Sequence, residues 1–301
     1  MSQPKNAIEV RNLSKSFKGF TAVNDITFTV EKGSIVGFVG PNGAGKTTTI
    51  SCLMGFLRPS KGTILVLGKQ VLPENAHVQH IDIGYAAGDM AMLDNLTGQQ
   101  YLEHIGFLTR QNTKRRAELI TAFSPVLHKK LHTLSRGNKQ KIALIAALQH
   151  NPKLLVLDEP TSGLDPLMQE TFLSIVRELA NKGTTVFMSS HILSEVTDVC
   201  ARVLFMKQGE IVLDKAVKEL EQEAGKEIRI QADKQTIARL LRTKPNGTVV
   251  QPESTVEEAV LFYKGATTPL LNWLSSQKVN DVVIRDRDFD SIFHKLYEED
   301  V

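Results

Sequence analysis

The chain is poor in cysteine and tryptophan and has no long apolar run. Of 301 residues, two are cysteine (Cys52 and Cys200) and one is tryptophan. Two cysteines make neither a disulfide framework nor a metal-ligand spacing, and read as reduced thiols in helices. The apolar run "IALIAAL" falls far short of the roughly 20 residues of a membrane-spanning helix, so a membrane role would come through a partner. The opening "MSQPKNAIEV" lacks the apolar core of a secretion signal. The formal net charge of +3 is too small to argue for nucleic acid. What remains is 42% hydrophobic and 23% charged, an ordinary globular composition, at a length that suggests two domains.

The first informative stretch is "GSIVGFVGPNGAGKTTTI". An apolar strand from Ile35 to Val39 breaks into a Gly-rich loop, and Gly40, Gly45, Lys46 and Thr47 match the P-loop spacing. Glycines let the backbone curl so that successive N–H groups point at phosphate oxygens. Lys46 can reach the β- and γ-phosphates, and the Thr47 hydroxyl can hold Mg²⁺. A second strand, "KLLVLDEP", places Asp158 and Glu159 at its C-terminal end, where open α/β sheets bind ligands. Beside a P-loop, Asp158 is expected to hold Mg²⁺ through water and Glu159 to activate the attacking water. A third buried strand, "TTVFMSSHIL", ends in His191, which can reach the γ-phosphate.

"HTLSRGNKQKIALIAAL" raises a different question. A helix that becomes fully apolar begins with Ser135 and Gly137 among Arg136, Lys139 and Lys141, with Lys130 just upstream. Such a start offers free N–H groups and the positive end of the macrodipole, and is ready to meet an anion.

With these pieces in order, the stretch from about Ile8 to Asp214 resembles the nucleotide-binding subunit of an ATP-binding cassette (ABC) transporter. The resemblance implies an α/β fold: a P-loop NTPase with a RecA-like core and a helical subdomain. It implies ATP and Mg²⁺ as cofactors and places ATP on Gly40, Pro41, Asn42, Gly43, Ala44, Gly45, Lys46, Thr47 and Thr48, with Phe17 stacked on adenine. "LSRGN" resembles the family signature Leu-Ser-Gly-Gly-Gln, whose Ser135 and Gly137 would bind the nucleotide of a second subunit paired head to tail. "SGLD", with Ser162 and Asp165, matches the segment that crosses that dimer interface and couples the two sites. Glu159 and His191 take the catalytic roles, and Thr47 and Asp158 the metal.

Three departures stand out. Arg136 replaces the first signature Gly, Asn138 replaces the Gln, and "IGYAAGDM" puts Gly88 where the family's switch loop carries Gln. Asp89 is the candidate stand-in toward the metal. The variant signature resembles that of a bacterial branch of drug, peptide and polysaccharide exporters. The partners implied are a transmembrane permease and a homo- or heterodimeric second subunit, with no nucleic acid, at the cytoplasmic face of the membrane. A non-hydrolysing ATP-dependent clamp is a competing class, kept open by Gly88. A soluble ABC ATPase acting on nucleic acid or ribosomes is a third. That class usually carries two cassettes or a long coiled coil, and this chain has neither.

The expected organisation is an ATPase domain over 1–214, with a helical subdomain at about 89–149 that includes an amphipathic helix in "NLTGQQYLEHIGFL". "RVLFMKQGEIVLD" reads as a hairpin turning at Gly209, and "KRR" at Lys114–Arg116 as a solvated helix face. A charged helical linker over 215–225 leads to a ferredoxin-like α+β domain over 226–301, read as βαββαβ plus a final helix in "DSIFHKLYEE". That small domain carries no catalytic constellation. Trp273 lies on an apolar helix stripe and reads as core.

Overall fold

The structure, a computed structural model, describes residues 5–88, 91–109, 112–251 and 254–286. Residues 1–215 and 216–301 form two compact units. The chain opens with β1 (Asn6–Phe17) and β2 (Phe20–Glu31), followed by β3 (Ile35–Val39) and α1 (Lys46–Leu53). Next come β4 (Lys61–Val66), β5 (Lys69–Gln70), α2 (His77–His80) and β6 (Ile83–Ala87). The helices α3 (Gly98–Leu108), α4 (Thr113–Phe123) and α5 (Arg136–Leu148) then interrupt the sheet. It resumes with β7 (Leu154–Asp158), α6 (Pro166–Asn181), β8 (Thr185–Ser190), α7 (Leu193–Thr197), β9 (Arg202–Lys207) and β10 (Glu210–Ala216).

Two sheets share one core. The order β2-β1-β4-β5 forms an antiparallel sheet. The order β10-β9-β3-β8-β7-β6 forms a second sheet, in which β3, β6, β7, β8 and β9 run parallel. Every residue of β3, β7 and β8 is buried, which is why these strands read as continuous apolar runs rather than alternating ones. Phe28 of β2 stacks on Phe187 of β8 at 5.6 Å and 11°. Phe38 of β3 meets the same ring at 5.3 Å, so three aromatic rings tie one sheet to the other. The carboxyl ends of β3, β7 and β8 therefore stand side by side, which is the requirement for a site at that edge. The β9–β10 hairpin turns through Gln208 and Gly209, both at positive φ, the combination that a two-residue type I′ turn demands.

The helical insertion is built on caps. Thr97 and Gln100 form a reciprocal capping box at the start of α3. Asn112 caps α4 and Ser135 caps α5. From Ile142 to Leu148 every residue of α5 is buried, and this half packs on β6. The helix thus starts in the insertion and ends in the sheet layer.

In the second unit, α8 (Val217–Ala224) precedes β11 (Lys226–Gln231), α9 (Lys234–Thr243), β12 (Thr248–Val250), β13 (Glu258–Tyr263), α10 (Thr267–Ser275) and β14 (Asp281–Asp286). The sheet order β12-β13-β11-β14, with its described pairings all antiparallel, is the split βαββαβ arrangement the sequence predicts. Ile228, Ile230, Leu240, Leu261 and Leu270 form its core, with Trp273 packed at the edge. The stretch read as a linker differs in detail: β10 runs to Ala216, and Val217 and Leu220 of α8 are buried. The final expected helix lies outside the described residues.

Candidate active site

The P-loop joins β3 to α1. Gly45 caps α1 at φ 108°, and a Cβ there would lie 2.3 Å from the Ala22 carbonyl oxygen. A Cβ on Gly40 would lie 2.1 Å from the Met206 carbonyl oxygen. The loop is thus pressed against β2 and β9; both glycines are required sterically, and Gly45 conformationally as well. The first-turn N–H groups of α1 have no acceptor within the helix, and no side chain caps them at Gly45.

Lys46 is the first residue of α1 and is buried. Its Nζ donates to the Gly40 carbonyl at 2.7 Å and to that of Pro41 at 3.1 Å. Glu159 Oε1 stands 3.8 Å away. Burial pushes the Lys46 ammonium pKa below the usual lysine range, against the opposing pull of the Glu159 and Asp158 charges. This cation is desolvated and incompletely neutralised, a state that an incoming phosphate would relieve.

Asp158 and Glu159 end β7 as expected. Asp158 is buried, and its Oδ1 accepts a 2.5 Å hydrogen bond from the Ser189 hydroxyl. The same Ser189 oxygen accepts from the Glu159 N–H at 3.1 Å, so one β8 side chain fixes both acids. Glu159 itself adopts φ 49°, a costly backbone for a residue with a side chain. It aims Oε1 at Lys46 and Oε2 at His191 Nδ1, 3.3 Å away. Thr47, Gly88, Asp158 and Glu159 line one cleft of about 630 Å³, closed by Tyr85, Phe56 and Arg136. Burial first, and then the Asp158 charge, push the Tyr85 hydroxyl pKa up to about 12; it is a neutral hydroxyl wall.

These donors suit Mg²⁺. A buried carboxylate and a threonine hydroxyl face the same space as the phosphate loop, and Mg²⁺ is usually held by one or two carboxylates plus substrate phosphates. Among the described residues no three His, Cys, Asp or Glu side chains cluster as a self-sufficient metal cage. Asp89, the candidate stand-in for the switch-loop Gln, lies outside the described residues. Gly88 donates its N–H to the Asp158 carbonyl at 2.9 Å.

Phe17 is 45% exposed at the end of β1, with Lys15 Nζ 5.0 Å above its ring; it is not a core residue. Ser135 Oγ accepts from the Asn138 backbone N–H at 3.4 Å and from its Nδ2 at 3.2 Å. Asn138 Oδ1 in turn accepts from Val126 N–H at 3.1 Å, tying the signature to the preceding loop. A Cβ on Gly137 would lie 2.6 Å from the Gly163 carbonyl oxygen. Signature and "SGLD" therefore abut within one chain. Ser162 N–H donates to the Glu159 carbonyl at 3.2 Å, and Asp165 caps α6 by accepting from Met168 N–H at 3.0 Å.

Three partners escaped the sequence reading: Ser189, Gln140 and Glu195. Gln140 Nε2 donates to the Pro160 carbonyl at 2.7 Å, and Glu195 Oε2 accepts from Thr161 and Ser190. The polar pair Ser189–Ser190 in an otherwise apolar strand is the signal that could have flagged the first.

A P-loop at the end of one parallel strand, with two acids and a histidine at the ends of the next two, defines a P-loop nucleotide-hydrolase site. The family model described as ABC transporter matches residues 23–162, and a second, an AAA domain, matches residues 130–197. The "Uncharacterized ABC transporter ATP-binding protein YhcH" of Bacillus subtilis (strain 168) is 34% identical over 220 residues, 71% of this chain and 72% of that protein. The "Bacitracin transport ATP-binding protein BcrA" of Enterococcus faecalis is 34% identical over 222 residues, 71% of this chain and 70% of its own. A solved structure described as the ATP-binding subunit of an ABC transporter superposes with a TM-score of 0.66 at 26% identity, covering 72% of this chain and 92% of the other. The chain belongs to the ATP-binding subunits of ABC transporters and is an ABC ATPase. Among the described residues no helix is long and apolar enough to cross a membrane.

Proposed function

We propose that two such subunits pair head to tail and hydrolyse Mg-ATP to drive a separate transmembrane permease, most simply an exporter. The observation that carries the hydrolytic reading is the position of Glu159, whose two carboxylate oxygens lie between buried Lys46 and His191 at the rim of the Thr47–Asp158 cleft. Lys46 would stabilise the negative charge of the β- and γ-phosphates. Thr47 and Asp158 would hold Mg²⁺, which supplies charge neutralisation of the triphosphate. Glu159 would take the proton of the attacking water as its oxygen bonds to the γ-phosphorus and the bond to the β–γ bridging oxygen breaks, releasing ADP and phosphate. His191, tied to Glu159, would hold that carboxylate in line.

Export is supported by the relative named for bacitracin transport, which is similar over most of its length. Pairing is supported by Ser135, which caps α5, and Gly137 in its first turn, a helix start that can receive an anion. The test is Glu159→Gln. ATP should remain bound while turnover falls by roughly 10²- to 10⁴-fold, and the variant should accumulate as a dimer on gel filtration with ATP. Turnover within twofold of wild type would remove Glu159 from the role of base.

A further inference from the structure

Arg136 stands where the family signature has glycine, and the fold gives it a specific neighbourhood. The position of a Cβ on Gly163 lies 3.4 Å from Arg136 Cγ and 3.5 Å from its Cδ, so the arginine stem runs across the glycine of "SGLD". Arg136 lines the cleft of about 630 Å³ with Thr47, Asp158, Glu159 and Gly88 of its own chain. It also lines an adjoining space of about 340 Å³ with Gly88 and Gln140. Its sequence neighbours Ser135 and Gly137 are the two residues read above as clasping the other subunit's nucleotide.

We propose that Arg136 contacts the terminal phosphate of the nucleotide bound to its own chain's P-loop. It thereby links occupancy of that site to the helix start facing the partner's site. The proposal rests on the nucleotide-binding reading above. Gly88 presents no side chain to the cleft, which leaves room for the long one of Arg136. A guanidinium is charged at every physiological pH and presents paired N–H donors that match phosphate oxygens. The cleft's protein side chains that would flank a γ-phosphate include the carboxylates Asp158 and Glu159, so a cation there offsets local repulsion. A diphosphate ends one group short of the terminal phosphate that Arg136 would meet, so the contact should distinguish triphosphate from diphosphate.

The test uses the full chain, dilute enough to be monomeric, with Mg²⁺ and fluorescent forms of ADP and of a non-hydrolysable ATP analogue. Arg136→Gln should weaken the triphosphate analogue about tenfold or more, the scale of a lost charge-assisted hydrogen bond, and change ADP affinity less than about twofold. Arg136→Lys should restore most of the difference, because it returns the charge. Arg136→Gly, the family's residue, should behave like Gln if the variant melts within a few degrees of wild type. Equal loss for both nucleotides, no loss for either, or a loss seen only once dimers form would overturn the proposal. A wild-type chain that binds neither nucleotide would sink it together with the nucleotide-site reading. Binding without turnover would remove only the hydrolytic reading.

Discussion

At the scale of single residues, one serine positions both acids of the site. Ser189→Ala would leave the buried Asp158 Oδ1 and the Glu159 N–H without their shared partner, at a cost of about 1–3 kcal/mol. The expected outcome is a lower melting temperature and a several-fold lower kcat with nucleotide binding retained; wild-type kcat would show that Ser189 merely fills space. Gly88 invites the opposite experiment, since restoring the family's Gln should return a ligand to the switch loop. The structure argues against a gain. A Cβ at Gly88 sits 3.2 Å from the Glu159 carbonyl oxygen and 3.4 Å from Ser162 Cβ. Glu159 already holds a strained backbone there. Gly88→Gln should therefore slow ATP turnover, and a faster variant across a Mg²⁺ titration would show that the loop yields easily.

At the scale of elements, residues that the resemblance assigns to an interface are seen to serve as helix caps. Asp165 is read from the resemblance as an interface residue, yet it caps α6 with Pro166 at the first helical position. Asp165→Ala should cost about 1 kcal/mol through the lost cap, whereas Asp165→Asn caps about equally well. If Asp165 also couples two sites, the Asn variant will melt like wild type but lose ATPase activity; full activity in Asp165→Asn would assign it to capping alone. The same double use holds at α5, where Ser135 both caps the helix and anchors Asn138. Asn138, which stands where the family signature has Gln, ties this helix start to Val126.

At the scale of the whole molecule, the two units can be watched separately. The only tryptophan of the chain, Trp273, packs against the core of the second unit. Mg-ATP bound in the first unit should raise the unfolding transition seen by circular dichroism, through ligand linkage, and leave the Trp273 fluorescence transition where it was. Equal shifts in both signals would show that the units unfold together. The sequence alone located the P-loop, the two acids and His191, and the βαββαβ succession of elements in the second unit, because these follow from local spacing and from apolar runs of strand and helix period. The order of strands within the sheets came only from the structure. The sequence also exposed the departures at Gly88, Arg136 and Asn138. Only the tertiary structure decided who holds whom: Ser189 beneath Asp158, Gln140 on Pro160, and Arg136 lying over Gly163 into its own chain's cleft. Each of those contacts joins residues about twenty or more positions apart. A polar side chain's partner across such a distance is set by the packing of whole strands and helices, not by any pattern local to the chain.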